Sequence, residues 1–277
     1  MSFSVNTNAG ALTALQYLTS TQGALAKTQT AINSGLKVAS ARDNGAIFAI
    51  AQNQRGAVAG YESVINSINN GTSSIEVALS AGQSISDLLI QLKQKALSAA
   101  DASLDTASRQ ALNSDFTALR DQISTIVKNA VFNGFNLVDG STTQITALAS
   151  ADGSRRITTQ AQNMKLSGAI VTLKSTSTIS TQAKASTLVA TIQSSLTNVN
   201  SALAKLSAGA AKFSIQATFA QNLSDTLKIG IGHLVDANMA EESASLQSLQ
   251  VKQQLGIQAL SIANQAPQTL LGLFQGG

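Results

Sequence analysis

The chain has 277 residues, of which 44% are hydrophobic, 4% aromatic and 12% charged, with a net charge of +4 and no cysteine. The missing cysteine excludes disulfides and thiolate metal sites, the scarcity of rings argues against a thick aromatic core, and scattered Lys and Arg argue against nucleic-acid binding. No run approaches the ~20 apolar residues that a membrane-spanning helix needs, so no membrane insertion is expected.

The N-terminal segment MSFSVNTNAG has neither a basic n-region nor a continuous apolar h-region, so no cleaved signal peptide is expected. Behind it Leu15, Leu18, Gln22, Leu25, Gln29, Ile32 and Leu36 recur in steps of three and four, the spacing of an amphipathic helix. Val58, Tyr61, Ile65, Ile68, Thr72, Ile75 and Leu79 alternate the same steps, and the stripe drifts on through Ile85, Leu89 and Leu92. One helix over residues 44–100 would run roughly 85 Å, which predicts a rod. Leu112, Phe116, Leu119, Ile123, Ile126 and Ala130 form a third stripe.

The middle of the chain changes character. Asn133-Gly134, Asp139-Gly140 and Asp152-Gly153 are turn dipeptides around TQITALAS and RRITTQ, which lean toward alternation. They predict one or two β-hairpins within residues 134–178. Heptad spacing then returns without a break: Ile192, Leu196, Val199, Leu203, Leu206, Ala210, Phe213, Ala217, Ala220, Ser224, Leu227, Ile231 and Leu234. Leu246, Leu249, Gln253, Gly256, Leu260 and Ala263 carry it to the other end, beyond which lie Leu270, Leu271 and Phe274. The expected fold class is mainly α: an elongated antiparallel helical bundle or coiled coil with a small β-hairpin segment in the middle. The two terminal helices can pair as a hairpin, but such a pair leaves much leucine surface uncovered, and large uncovered apolar surface marks an interaction site. The stripes alone leave packing within one chain and assembly between copies equally open.

Chemistry-bearing motifs are weak. Ser34-Gly-Leu-Lys37 matches S-x-x-K, yet its companion motifs S-D-N and K-T-G are missing, so a helix bend is the better reading. His233 is the only histidine, and Gly230-Ile-Gly232 lacks the third glycine of a nucleotide loop. Gly56 and Gly60 have a spacing that permits close approach of another element. Asp236, Glu241 and Glu242 stand near a helix start, where they complement the dipole. No catalytic, metal or cofactor site is expected.

Four segments carry a family resemblance: SVNTNAGALTALQYLTSTQ (4–22), INSGLKVASARDNGAIFAIA (32–51), FNGFNLVDG (132–140) and MAEESASLQSLQVKQQLGIQALSIANQAPQTLLGLF (239–274). Together they resemble bacterial flagellin, in a short form without large outer domains. Asn44 and Gly45 depart from the family's frequent Asp-Ala. QLKQKALSAA (91–100) stands where many flagellins carry an Arg-x-Arg-Glu-Leu element recognised by toll-like receptor five.

The resemblance implies a structural subunit, not an enzyme, that polymerises as a homo-oligomer into an extracellular flagellar filament for swimming. It implies an export chaperone and hook-junction and cap proteins as partners. Residues 1–42 and 236–277 would form a terminal coiled-coil inner-tube domain, and 43–235 a helical rod domain with the hairpin excursion at 134–178. The subunit interface is expected at Leu12, Leu15, Leu18, Leu25, Ile32, Leu36, Leu246, Leu249, Leu260, Leu270, Leu271 and Phe274. Packing within the rod is expected from Val58, Tyr61, Ile65, Ile68, Leu112, Phe116, Leu119, Leu203, Leu206, Phe213 and Leu227. The alternative is a low-copy hook-filament junction or translocator-type protein of the same export apparatus.

Overall fold

A computed structural model describes residues 7–275, with side chains through Gln265. The elements in chain order are α1 (Ala9–Ser34), α2 (Gly45–Ala99), α3 (Thr106–Asn129), β1 (Gln144–Leu148), β2 (Arg156–Gln160), α4 (Gln182–Val235) and α5 (Met239–Gln275). The chain divides into two compact units, Met1–Gly56 with Leu227–Gly277 and Ala57–Thr226. The division falls inside α2 and α4, not at the turns that precede α2 and follow α4.

In the unit of residues 57–226, α2 and α4 run antiparallel. Gly71 lies against the Phe213 ring, Gly82 against Leu203, and Ser86 donates to the Asn200 side chain. Ile68, Ile75, Ile85, Leu89 and Leu92 of α2 are fully buried, as are Phe116 and Ile123 of α3 and Leu206 and Phe213 of α4. A core built from spaced Ile, Leu and Phe against Ala, Gly and Ser is thin, so few rings suffice to fill it. The stripe positions Val58, Ile68, Phe116, Leu206 and Phe213 are buried, while Tyr61, Ile65, Leu112, Leu119 and Leu203 are half-buried.

Polar side chains close the helix ends in this unit. Asp105 caps α3 by accepting the Ser108 amide at 2.8 Å. Arg109 donates to the carbonyls of Ala99, Asp101 and Leu104, so one cation ties the last carbonyl of α2 to the turn that leads into α3. Asn133 and Gly134 have φ of 48° and 82°, the left-handed pair that a tight two-residue turn between Phe132 and Phe135 requires.

β1 and β2 form the single hairpin found among the described residues, with Ile145 opposite Thr159 and Ala147 opposite Ile157. These four residues are the buried ones, so the period-two alternation turns one face of the hairpin inward. Glycine on the neighbouring helices makes room for it. A Cβ on Gly60 would lie 2.8 Å from the Ala151 carbonyl oxygen, and one on Gly209 would collide with Thr159. Residues 161–181 are irregular but bury Met164, Val171, Leu173 and Ile179 completely.

Candidate functional site

The unit formed by the two chain ends is built around a clasp of backbone. Gly35, with φ of 72°, ends α1 in the left-handed conformation. Its carbonyl accepts the Ala237 amide at 2.9 Å, and the Lys37 amide donates to the Val235 carbonyl at 2.8 Å. The Lys37 ammonium reaches the His233 carbonyl at 3.3 Å, near the C-terminal end of α4 where a cation is favoured. Ser34, the first residue of the S-x-x-K match, is the last residue of α1 and donates its hydroxyl to the Thr30 carbonyl at 2.8 Å.

Both helices that leave the clasp are capped by asparagine. Asn44 accepts the Ile47 amide at the start of α2, and Asn238 accepts the Ala240 amide at the start of α5. Glu241 and Glu242 occupy the first turn of α5, where the helix dipole favours negative charge. Asp43 accepts from the Ser40 and Ala39 amides and the Ser40 hydroxyl. The Ser40 amide is the main reason its carboxyl titrates below the ordinary aspartate value.

From the clasp α1 and α5 run back side by side. Asn8 donates to the Ala263 carbonyl at 2.7 Å, and Leu18 packs on Gly256, where a Cβ would approach to 3.3 Å. With Gly35 bonded to Ala237, these pairings make α1 and α5 antiparallel. Leu18 is buried in the seam. Leu25, Ile32, Leu36, Leu246, Leu249 and Leu260 are half-buried. Leu12 and Leu15 are covered only in part, at 62% and 49% exposure. Leu227, placed by sequence with the rod, is half-buried in this unit. The side chains of Leu270, Leu271 and Phe274 lie outside the described residues.

Uncovered apolar side chains also occur off the seam. Tyr17 of α1 and Val251, Leu255, Ile257 and Ile262 of α5 are all more than half exposed. Val251, Leu255 and Ile262 are separated by four and seven positions, so they share one face of α5. The heptad reading missed them because it follows the stripe that α1 covers. A second stripe displaced around the same helix carries the signal that finds them.

This surface has no acid–base pair, nucleophile with a partner, or group of metal ligands among the described residues. No described helix is long and apolar enough to cross a membrane. Its chemistry is the burial of apolar area against another surface.

Comparison with known proteins gives the arrangement its context. Residues 5–143 match the family model described as the bacterial flagellin N-terminal helical region, and residues 189–274 match the bacterial flagellin C-terminal helical region. Flagellin FljK of Caulobacter vibrioides is 50% identical over 272 residues, covering 98% of both chains. Flagellin FljM of the same organism is 48% identical with the same coverage. A flagellin of Brucella melitensis is 33% identical over 282 residues, covering 99% of both chains. With both terminal regions matched and relatives of equal span on either side, the chain belongs to the bacterial flagellin family, whose members are structural proteins and not enzymes.

Proposed function

We propose that this chain is the repeating subunit of a swimming filament, and that neighbouring copies bury the faces of α1 and α5 that the chain leaves to water. Flagellins are the structural subunits of the extracellular flagellar filament. The observation that carries the finer reading is the split within the terminal pair. Leu18 is buried against α5, whereas Leu12, Leu15, Val251, Leu255 and Ile262 keep about half or more of their surface in water. Each of these, when fully buried, contributes roughly 1.5–3 kcal/mol, and only another molecule supplies that cover. The half-buried Leu25, Ile32, Leu36, Leu246, Leu249 and Leu260 complete their burial in the same contact, and Leu270, Leu271 and Phe274 extend it.

Residues 1–42 and 236–277 then belong to the inner tube and 43–235 to the shell around it. One patch meeting a different patch on the next copy propagates as an open helix when the rotation does not close. Export without a cleaved signal, an export chaperone that covers the C-terminal leucines, and hook-junction and cap proteins at the two ends of the polymer complete the reading. The junction or translocator alternative finds no support in relatives that are flagellins over their full length.

The test is seeded growth. Full-length monomer added to short filament seeds should elongate them into long filaments under the electron microscope. Chains that cap the seeds without extending them would overturn the proposal.

The segment 91–100 bears on recognition by the host receptor. Gln91 is exposed, Lys93 donates to Gln193, and Lys95 pairs with Asp115 at 2.6 Å, so the Arg-x-Arg-Glu-Leu charge pattern is missing. Weak activation of toll-like receptor five is expected. A reporter cell line that responds strongly at low protein concentration would contradict it.

A further inference from the structure

The heptad seam of α4 faces α2 inside the chain, but α4 carries a second row that no described residue covers fully. Ala204, Ala208, Ala211, Ile215 and Phe219 are all exposed, Ile215 by 72% and Phe219 by 57%. At 3.6 residues per turn they fall within an arc of about 80° along about 22 Å of helix. Lys205 and Lys212 flank one edge of this row, and Lys212 is anchored by donating to the Thr158 carbonyl at 3.2 Å. Small residues interspersed with Ile and Phe let another helix approach closely.

The charge is of one sign along the central stretch of α2 and along most of α4, although α2 also carries Arg55, Lys93 and Lys95 at its ends and α4 carries Asp225 and Lys228 near its C-terminus. Between residues 182 and 224 α4 carries Lys184, Lys205 and Lys212 and no acid. Between residues 57 and 92 α2 carries Glu62, Glu76 and Asp87 and no base. Steps of four and three connect these three acids to Ile90 and Leu97 in one outward row of α2, and all five are exposed. Glu76, Asp87 and Lys205 enter no ion pair among the described residues. Glu76 and Asp87 on one helix and the lysine-edged apolar row on another therefore lie on one chain with no ion pair between them among the described residues.

We propose that the outer face of α4 is a docking surface for a second copy of this chain, which presents the acidic outer row of its α2. The proposal rests on the filament reading and adds a contact separate from the one between terminal helices. Complementary charge sets the partner and the register of approach, while burial of Ile215 and Phe219 supplies the apolar part. Each chain carries both halves, so the contact is heterologous and continues from copy to copy.

Seeded elongation of the full-length protein at low salt tests it, with circular dichroism to show that each variant folds as the wild type does. E76K/D87K replaces two attractions by repulsions and is expected to slow elongation roughly tenfold. E76K/D87K/K205E restores opposite charge across the contact and should recover much of the rate. Phe219→Ser should slow elongation at all salt concentrations, whereas the E76K/D87K defect should fade as salt screens it. Wild-type rates for every variant would assign this face to something other than a second copy and overturn the proposal alone. A triple variant no faster than E76K/D87K would overturn the charge pairing. Failure of the wild-type chain to elongate would overturn the filament reading, and this proposal with it.

Discussion

Phe213 shows how a chain poor in rings uses the few it has. It is fully buried on α4 and stands over Gly71, where an added Cβ would lie 2.5 Å from the ring. Phe213→Ala should cost about 3–5 kcal/mol in urea unfolding. Gly71→Ala should cost about 1–3 kcal/mol through overpacking, and part of that should return when Phe213 is also shortened to Leu. Independent, additive losses would mean that the two positions do not share one space.

At the hairpin tip, Asp152 accepts the hydroxyls of Ser150 and Ser154 and the Ser154 amide, which pull its carboxyl down to about 2 from 3.8. A folded pKa below the unfolded one gives a contribution that is present above the unfolded value and lost as pH falls through the folded value. Protection of the Ser154 amide from hydrogen exchange should therefore hold at pH 5 and drop toward pH 2. Asp152→Asn should remove that pH dependence. An unchanged protection factor across this range in the wild type would show that the carboxylate does not hold the turn.

At the scale of elements, what was legible in the sequence follows from what periodicity measures. A three-four stripe reports that a helix has a covered face, so α2 and α4 stand out as long helices from Ile68, Ile75, Leu206 and Phe213 alone. Turn dipeptides report positive φ, so Asn133-Gly134 and Asp152-Gly153 located the corners of the β excursion. Periodicity does not report which molecule does the covering. Leu18 and Leu12 belong to one amphipathic helix, yet the first is buried and the second is covered only in part. The outward rows of α4 and α5 escape a reading of one stripe per helix: Ile215, Phe219, Val251 and Leu255 lie on second stripes, among Ala, Ser and Gln that read as solvated surface. Buried polar corners were also missed. Asn136 donates to the Val127 carbonyl and accepts the Val138 and Asp139 amides, a role set by the fold around it and by no pattern in its neighbours. Helix caps are more local. Asn238→Ala should lower the stability of the α1–α5 unit by about 1 kcal/mol, read as a lower melting midpoint. A midpoint equal to the wild type's would mean that other donors and acceptors close the start of α5.

For the molecule as a whole, the surface left uncovered after folding directs function. No catalytic constellation competes with it among the described residues, and the exposed apolar side chains concentrate on helices whose opposite faces are already packed. A chain that hides Leu18 and exposes much of Leu12, Leu15, Tyr17 and Leu255 has apolar area left for a partner, and under the proposed function that partner is another copy in the filament. The most direct test is seeded elongation by full-length chains carrying Leu12→Ser, Leu15→Ser and Leu255→Ser together. These side chains are about half exposed or more in the single chain, so the variant should stay folded with a melting midpoint only modestly below the wild type's, yet fail to extend seeds that the wild type extends readily. Filaments of normal length from the folded variant would contradict the account.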